Sequence, residues 1–383
     1  MAAIALTVLA GFAGGFALRR LGVPAGGLIG SFGAVALLSV ASGIAFLPAE
    51  TRVAVQIVAG AFVGCSIGKD ELKTAKAVAK PAAFMLAWYA VFVLAVGFAI
   101  WALTPLSLPT ALMSCVPGGI SDIPIVAASM GANTPDVTLL QLLRLLLGIA
   151  LMAAVAQMVT RKTRRAVRGA AKIDPRAPGA LATPLPSQPS GRVPEIGPEA
   201  SRIDMPDRSL SARTKLKLAL KGLATLAVAA VAGLAGRATG IPGMTFTFAI
   251  GCTLAFNLAT GFSFVPRWLK RLCQYLAGAY LGAQMTLGDV AALPELLAPA
   301  LIILAAYAAS FLALGYLQHR LFGYTLEEGL FIATPAGASD IALVMDDLGM
   351  RNANVTIMQI LRLICVLALF PQMVNIVLLL AGS

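Results

Sequence analysis

The chain has 383 residues, 59% of them hydrophobic and 12% charged, with a net charge of +12 and a mean hydropathy of +0.87. Soluble domains run about 45–50% apolar and about 25% charged, so a water-soluble globular protein is excluded. The long apolar runs imply a polytopic helical membrane protein; they lack the period-two alternation of barrel strands.

The first apolar segment, 2–18, is followed by Arg19 and Arg20. A secretory signal carries its charge before the apolar run, so the segment is expected to be a retained transmembrane helix. Segments at 24–47 and 52–68 follow. Gly60, Gly64 and Gly68 recur every four residues in the third, a small-residue face suited to close helix packing. The string "GCSIGKD" at 64–70 has the wrong spacing for a phosphate loop, and neither Ser nor Thr follows Lys69. A fourth segment spans 81–104.

The fifth segment, 108–133, breaks itself with "PGGISD" at 117–122. Pro117 ends a helix, and Gly118 and Gly119 permit a tight turn and close approach of a ligand. Ser121 and Asp122 then stand where N-caps stand, at a helix start whose N–H groups favour anions. A carboxylate near the bilayer centre costs about 2.5–3.5 kcal/mol on insertion scales, so Asp122 is either a helix cap or a binder of substrate or coupling ion. The sixth segment, 137–160, carries Gln141 and Arg144, three residues apart and so on one helix face. Arg144 lies at the depth that the tip of a half-span hairpin reaches. Its guanidinium either pairs with Asp122 or grips a carboxylate, sulfonate or phosphate.

Residues 161–218 are rich in Pro, Ser, Gly and Arg and are expected to form a flexible basic linker. Beyond them the chain repeats. "PAGASDI" at 335–341 matches "PGGISDI" at 117–123, an offset of 218 residues. The same offset, without a gap, pairs Gly60 with Gly278, Gly64 with Gly282, Gln141 with Gln359 and Arg144 with Arg362. The chain therefore divides into a membrane repeat at 1–160, the linker, and a second membrane repeat at 219–383. The second copy of the candidate site is Pro335, Gly337, Ser339, Asp340, Gln359 and Arg362, with Asp340 and Arg362 as the corresponding pair. The copies also differ: Asp346 and Asp347 stand where Ala128 and Ser129 stand in the first, and Asn354 replaces Asp136.

Charge sets the expected topology. Basic residues follow segments one, three and six, which places those ends in the cytoplasm and both termini outside. Segment five must then enter and leave on one side, as a re-entrant hairpin buried in protein. The second unit starts inside and runs the opposite way. The expected fold is all-α: two inverted repeats, each of about five transmembrane helices plus one re-entrant or broken hairpin, in the inner membrane. Arg237 is the one basic residue on the unexpected side.

A duplicated unit carrying "PGG.SD" and then "Q..R" resembles the AbrB-type integral membrane family, over both repeats but not the linker. Many members carry Glu where Asp122 and Asp340 stand here, one methylene shorter. The resemblance implies a membrane location and a regulatory label; some members are also called ammonia monooxygenases. Nothing in the chain resembles a DNA-reading module.

Inverted repeats with broken helices suit a secondary transporter. The expected function is H+- or Na+-coupled transport of a small, anionic solute bound between the hairpin tips. The alternatives are a membrane regulator acting indirectly on gene expression and a membrane oxygenase. Oxygen chemistry needs clustered His, Cys or carboxylate ligands; His319 is alone in a loop, and Cys65, Cys115, Cys252, Cys273 and Cys365 form no CxxC. No enzymatic activity and no cofactor are expected. The expected partners are a small-molecule or ion substrate, the lipid bilayer and a second copy in a homodimer, with no nucleic acid.

Overall fold

The computed structural model describes residues 2–21, 26–65, 68, 75–120, 122–173, 212–335 and 353–381. Ser121, Gly337, Ser339 and Asp340, together with Asp346 and Asp347, lie outside them.

Among the described residues every regular element is helical. In the first repeat these are α1 (Ala2–Arg20), α2 (Gly26–Ser42), α3 (Ala49–Gly64), α4 (Ala79–Leu103), α5 (Leu108–Cys115), α6 (Ile123–Ala127) and α7 (Thr134–Ile173). The second has α8 (Ala212–Ala238), α9 (Met244–Thr260), α10 (Arg267–Gly282), α11 (Leu287–Ala291), a 3-10 turn (Leu293–Leu296), α12 (Leu297–Phe322), α13 (Leu326–Ala333) and α14 (Ala353–Ala381). The bounds of α2, α3 and α5 reappear in α9, α10 and α13 at the 218-residue offset.

Among the described residues six helices are long and apolar enough to cross a membrane: α1, α4, α7, α8, α12 and α14. Each repeat supplies three. The 17 residues of α2 and of α9 reach about 26 Å at 1.5 Å per residue, just short of the ~30 Å hydrocarbon core. Side chains such as Leu37, Val231 and Leu379 are more than 70% exposed on the outside of the bundle. An apolar exterior of this kind belongs against lipid.

The fifth segment is a re-entrant hairpin. Its first arm, α5, has 8 residues, about 12 Å, less than half the bilayer core. Its two ends meet, because the Asn133 backbone N–H, at the start of α7, donates to Thr110 Oγ1 in the first turn of α5 at 2.9 Å. Gly131 makes the returning turn at φ +72°, a left-handed backbone that glycine adopts without steric cost.

The repeats are inverted. Arg237, at the end of α8, pairs with Glu50, at the start of α3, at 4.0 Å. The end of α1, the counterpart of α8, lies at the opposite end of α2 from Glu50. The pair therefore puts α8 antiparallel to α1. Asn257, near the end of α9, likewise donates to the Cys65 carbonyl at the end of α3, at 3.3 Å. This gives the one misplaced basic residue of the charge pattern a partner.

Each repeat lends its third helix to the other. α10 packs on α1 and α2, and α3 packs on α8 and α9. The glycine stripe makes this possible: a Cβ on Gly60 or Gly64 would meet α9 at Ala249 and Thr253, and one on Gly278 or Gly282 would meet the carbonyls of Leu28 and Phe32 on α2. Ser31 seals the contact by donating to the Tyr275 carbonyl at 2.6 Å. The main core lies elsewhere, where α4, α5, α7, α12, α13 and α14 meet, and it encloses both first arms of the hairpins.

The linker is shorter than its composition implies. α7 continues unbroken to Ile173 and α8 begins at Ala212, so the stretches 161–173 and 212–218 are helical. Their Ala, Arg, Lys and Leu content favours helix, and extending an existing helix avoids the cost of nucleation. Residues 174–211 lie outside the described residues.

Candidate functional site

A re-entrant arm that ends inside a membrane leaves its last carbonyls without helical partners, and without water to take them. Gln141 supplies the donors. Its Nε2 reaches the carbonyls of Met113, Ser114 and Val116 at 3.0, 3.2 and 3.1 Å. Gln359 does the same for the second arm, donating to Phe331 at 2.7 Å and Ile332 at 2.9 Å. Phe331 and Ile332 are the offset mates of Met113 and Ser114. Both glutamines are completely buried.

The arginines reach one step further. Arg144 Nη2 donates to the Gly118 carbonyl, in the break itself, at 2.6 Å. Arg362 Nη1 donates to the Thr334 carbonyl at 2.7 Å. They are 3% and 5% exposed, and the two guanidiniums lie close enough to feel each other's charge. Arg144 is ten residues past Thr134, about 15 Å along α7, about half the ~30 Å thickness of a hydrocarbon core.

Two tyrosines close the arrangement. Tyr307, on α12, donates its hydroxyl to the Cys115 carbonyl at the end of α5, at 2.7 Å. Tyr89, on α4, donates to the Ala333 carbonyl at the end of α13, at 3.1 Å. Both rings are fully buried. The tyrosine of each repeat therefore completes the half-site of the other. The Arg144 guanidinium sits 5.7 Å from the Tyr307 ring centroid, within cation–π range, and Arg362 lies beside the Tyr89 hydroxyl. Sequence reading missed both tyrosines, although they too are 218 residues apart.

Asp122 does not play the part of a helix cap. It precedes α6 but has φ −101° and ψ −46° and makes no side-chain capping bond; an N-cap needs an extended backbone. Its carboxylate turns back against Gly119, where a Cβ would collide with it. Nor does it pair with Arg144: among the described residues no ion pair engages that guanidinium, whose fork is turned to Gly118 and Tyr307. The charge acting on the half-buried Asp122 is that of Lys270, on α10 of the other repeat. A Cβ on Gly118 would strike Ile123 and Leu367, so the break packs directly onto α14. The carbonyls that end α6 are met from α3: Arg52 donates to Ala128 at 2.8 Å and Gln56 to Ile125 at 3.3 Å.

The structure thus brings Gly118, Gln141 and Arg144 together in one half-site, and Gln359 and Arg362 together at the end of the arm that leads to Pro335. Pro117 and Gly119 form the break, and the Asp122 carboxylate lies against Gly119. Among the described residues no group of three or more His, Cys, Asp and Glu comes together as a metal centre would need.

A family model described as "Transition state regulatory protein AbrB" matches residues 1–160 and 182–378. The chain is also 21% identical over 377 residues to "Uncharacterized protein YhjN" of Bacillus subtilis (strain 168), covering 94% of this chain and 89% of that protein.

Proposed function

Since the chain belongs to the AbrB family, with two inverted membrane repeats, we propose that it is a secondary transporter of a small anionic solute, coupled to H+ or Na+, with its site between the hairpins near the bilayer midplane. The observation that carries this reading is the buried Arg144 guanidinium. It stands at mid-membrane depth beside Arg362, and among the described residues no carboxylate pairs with it. A charge there costs several kcal/mol, and a bound anion with a matching fork offsets that cost. Broken helices at the interface of inverted repeats are where transporters of this architecture place substrate. Asp122, half-buried at the hairpin tip and uncommitted to capping, is the candidate for the coupling ion. The basic residues Arg19, Arg20 and Arg161–Arg165 support an inner-membrane orientation with both termini outside and the linker in the cytoplasm.

The test is uptake into proteoliposomes under an imposed H+ or Na+ gradient. Arg144→Lys and Arg362→Lys keep the charge but lose the fork, and each is expected to reduce uptake at least tenfold. Asp122→Asn is expected to uncouple uptake from the gradient. Full activity in all three variants removes the site from this location.

One observation favours a second reading, a membrane sensor. α7 runs unbroken from Gln141 and Arg144 to Ile173, so a ligand-driven shift of that helix reaches the linker, and the family description names a regulator. If deletion of 174–211 leaves uptake intact but abolishes a transcriptional response to substrate, the sensor reading gains at the expense of a pure carrier.

A further inference from the structure

We propose that the site takes a small carboxylate that carries a hydrogen-bond donor of its own, a 2-hydroxy or 2-amino acid; this rests on the anion-transport reading above and narrows its substrate class. The argument comes from what the half-sites leave unmatched. Gln141 commits its Nε2 to three carbonyls and Gln359 commits its own to two. Those bonds also settle which way each amide faces, because a flipped amide would set its oxygen against carbonyl oxygens. Each Oε1 is therefore turned away from the arm, and each is buried without a hydrogen-bond partner among the described residues. Arg144 Nε is in the same condition.

An orphaned buried acceptor keeps its full desolvation penalty. Its presence at equivalent positions in both repeats calls for a shared explanation. Among the described residues the neighbouring hydroxyls do not supply it. Ser114 and Thr334 donate to carbonyls one turn back, at 2.7 and 2.8 Å, and Tyr89 and Tyr307 donate to the opposite arms. The open inventory is thus an arginine edge that wants an acceptor and two glutamine oxygens that want donors. Acetate, sulfate or a sulfonate satisfies the first and leaves the second orphaned. A carboxylate with an adjacent hydroxyl or ammonium satisfies both. Sites built to hydrogen-bond a substrate OH or NH reject the analogue that lacks it far more strongly than apolar pockets reject a methylene.

The full-length protein in lipid nanodiscs is titrated with matched acids, followed by thermal shift and calorimetry: glycolate and glycine against acetate, and lactate and alanine against propionate, at fixed ionic strength. The hydroxylated or aminated member of a pair is expected to bind at least tenfold more tightly than its plain partner, and Arg144→Lys is expected to abolish the response. Equal binding within each pair, still dependent on Arg144, overturns the donor requirement and leaves the anion reading standing; an ordered water would then serve the glutamine oxygens. Binding that ignores Arg144 overturns both. No response from any acid overturns the proposed class. The pairwise comparison is made on unaltered protein, so a variant that fails to fold does not decide it.

Discussion

The two half-sites are alike at one end and unlike at the other. Where α5 and α13 end inside the membrane, each has a glutamine on its last carbonyls, an arginine one step beyond and a tyrosine from the opposite repeat. Where the same arms begin, the likeness disappears. Thr325 and Glu328 form a reciprocal capping box at the start of α13. Their counterparts Ser107 and Thr110 bond each other instead, at 2.7 Å, and the Ser107 side chain caps nothing. Thr110 also accepts from Asn133, whose side-chain amide donates to Asp289 across the repeats at 3.2 Å. The difference is one of dielectric. An orphaned carbonyl in a dry interior has no substitute partner, so both copies solve it in the same way; at the water interface solvent serves any arm start.

The comparison breaks most visibly at the glutamines. Gln141→Leu removes three hydrogen bonds to carbonyls and Gln359→Leu two, although the carbonyls of Met113, Val116 and Phe331 each keep a backbone N–H, so each is expected to cost about 2 kcal/mol, Gln141→Leu the more. Thermal melts in nanodiscs or a steric-trap unfolding assay measure this. Indifference to either change would mean that the arms are held without these caps. The tyrosines come next. Tyr89→Phe and Tyr307→Phe each remove one hydroxyl bond to a carbonyl and should each cost about 1 kcal/mol, nearly equally. A large inequality would show that the latches have diverged in strength.

The arm starts should behave in the opposite way. Thr325→Ala loses a capping box and is expected to cost about 1 kcal/mol, whereas Ser107→Ala should fall within the noise of the same melt. The smallest effect is a pH dependence. Partial burial pushes the Asp289 carboxyl up, but hydrogen bonds from Thr286 and Asn133 outweigh this and hold it below the usual carboxylate value. A depressed carboxylate contributes stability above its unfolded pKa and loses it as pH falls through the folded one. Stability should therefore drop slightly below about pH 4, and Asp289→Asn should flatten that part of the profile.

Legibility differed by kind of interaction. The repeat register, the hairpin break at Pro117–Asp122 and the placement of Gln141 and Arg144 on one face could all be read from spacing. The partners of those residues could not. Asp122 stood where a cap stands, yet its helical backbone angles rule out capping. Arg144 had a carboxylate 22 positions away and turned instead to a carbonyl and an aromatic ring. Tyr89 and Tyr307 are aromatic residues in apolar runs, and only their shared offset marks them. The glycine stripe announced close packing without saying on which helix.

What the sequence determined by itself was local and periodic: the apolar spans, the helix breakers, the duplication and, through the asymmetry of charge, the inversion of one copy. These follow from the transfer energy of side chains into lipid and from backbone sterics, which act within a few residues. Only the tertiary structure decided that each repeat lends the other its third helix, and that Tyr89 and Tyr307 close half-sites 244 and 192 residues away. The choice among many similar apolar faces rests on which glycines let two backbones approach and on which buried carbonyls still lack a donor. Both are properties of the packed chain.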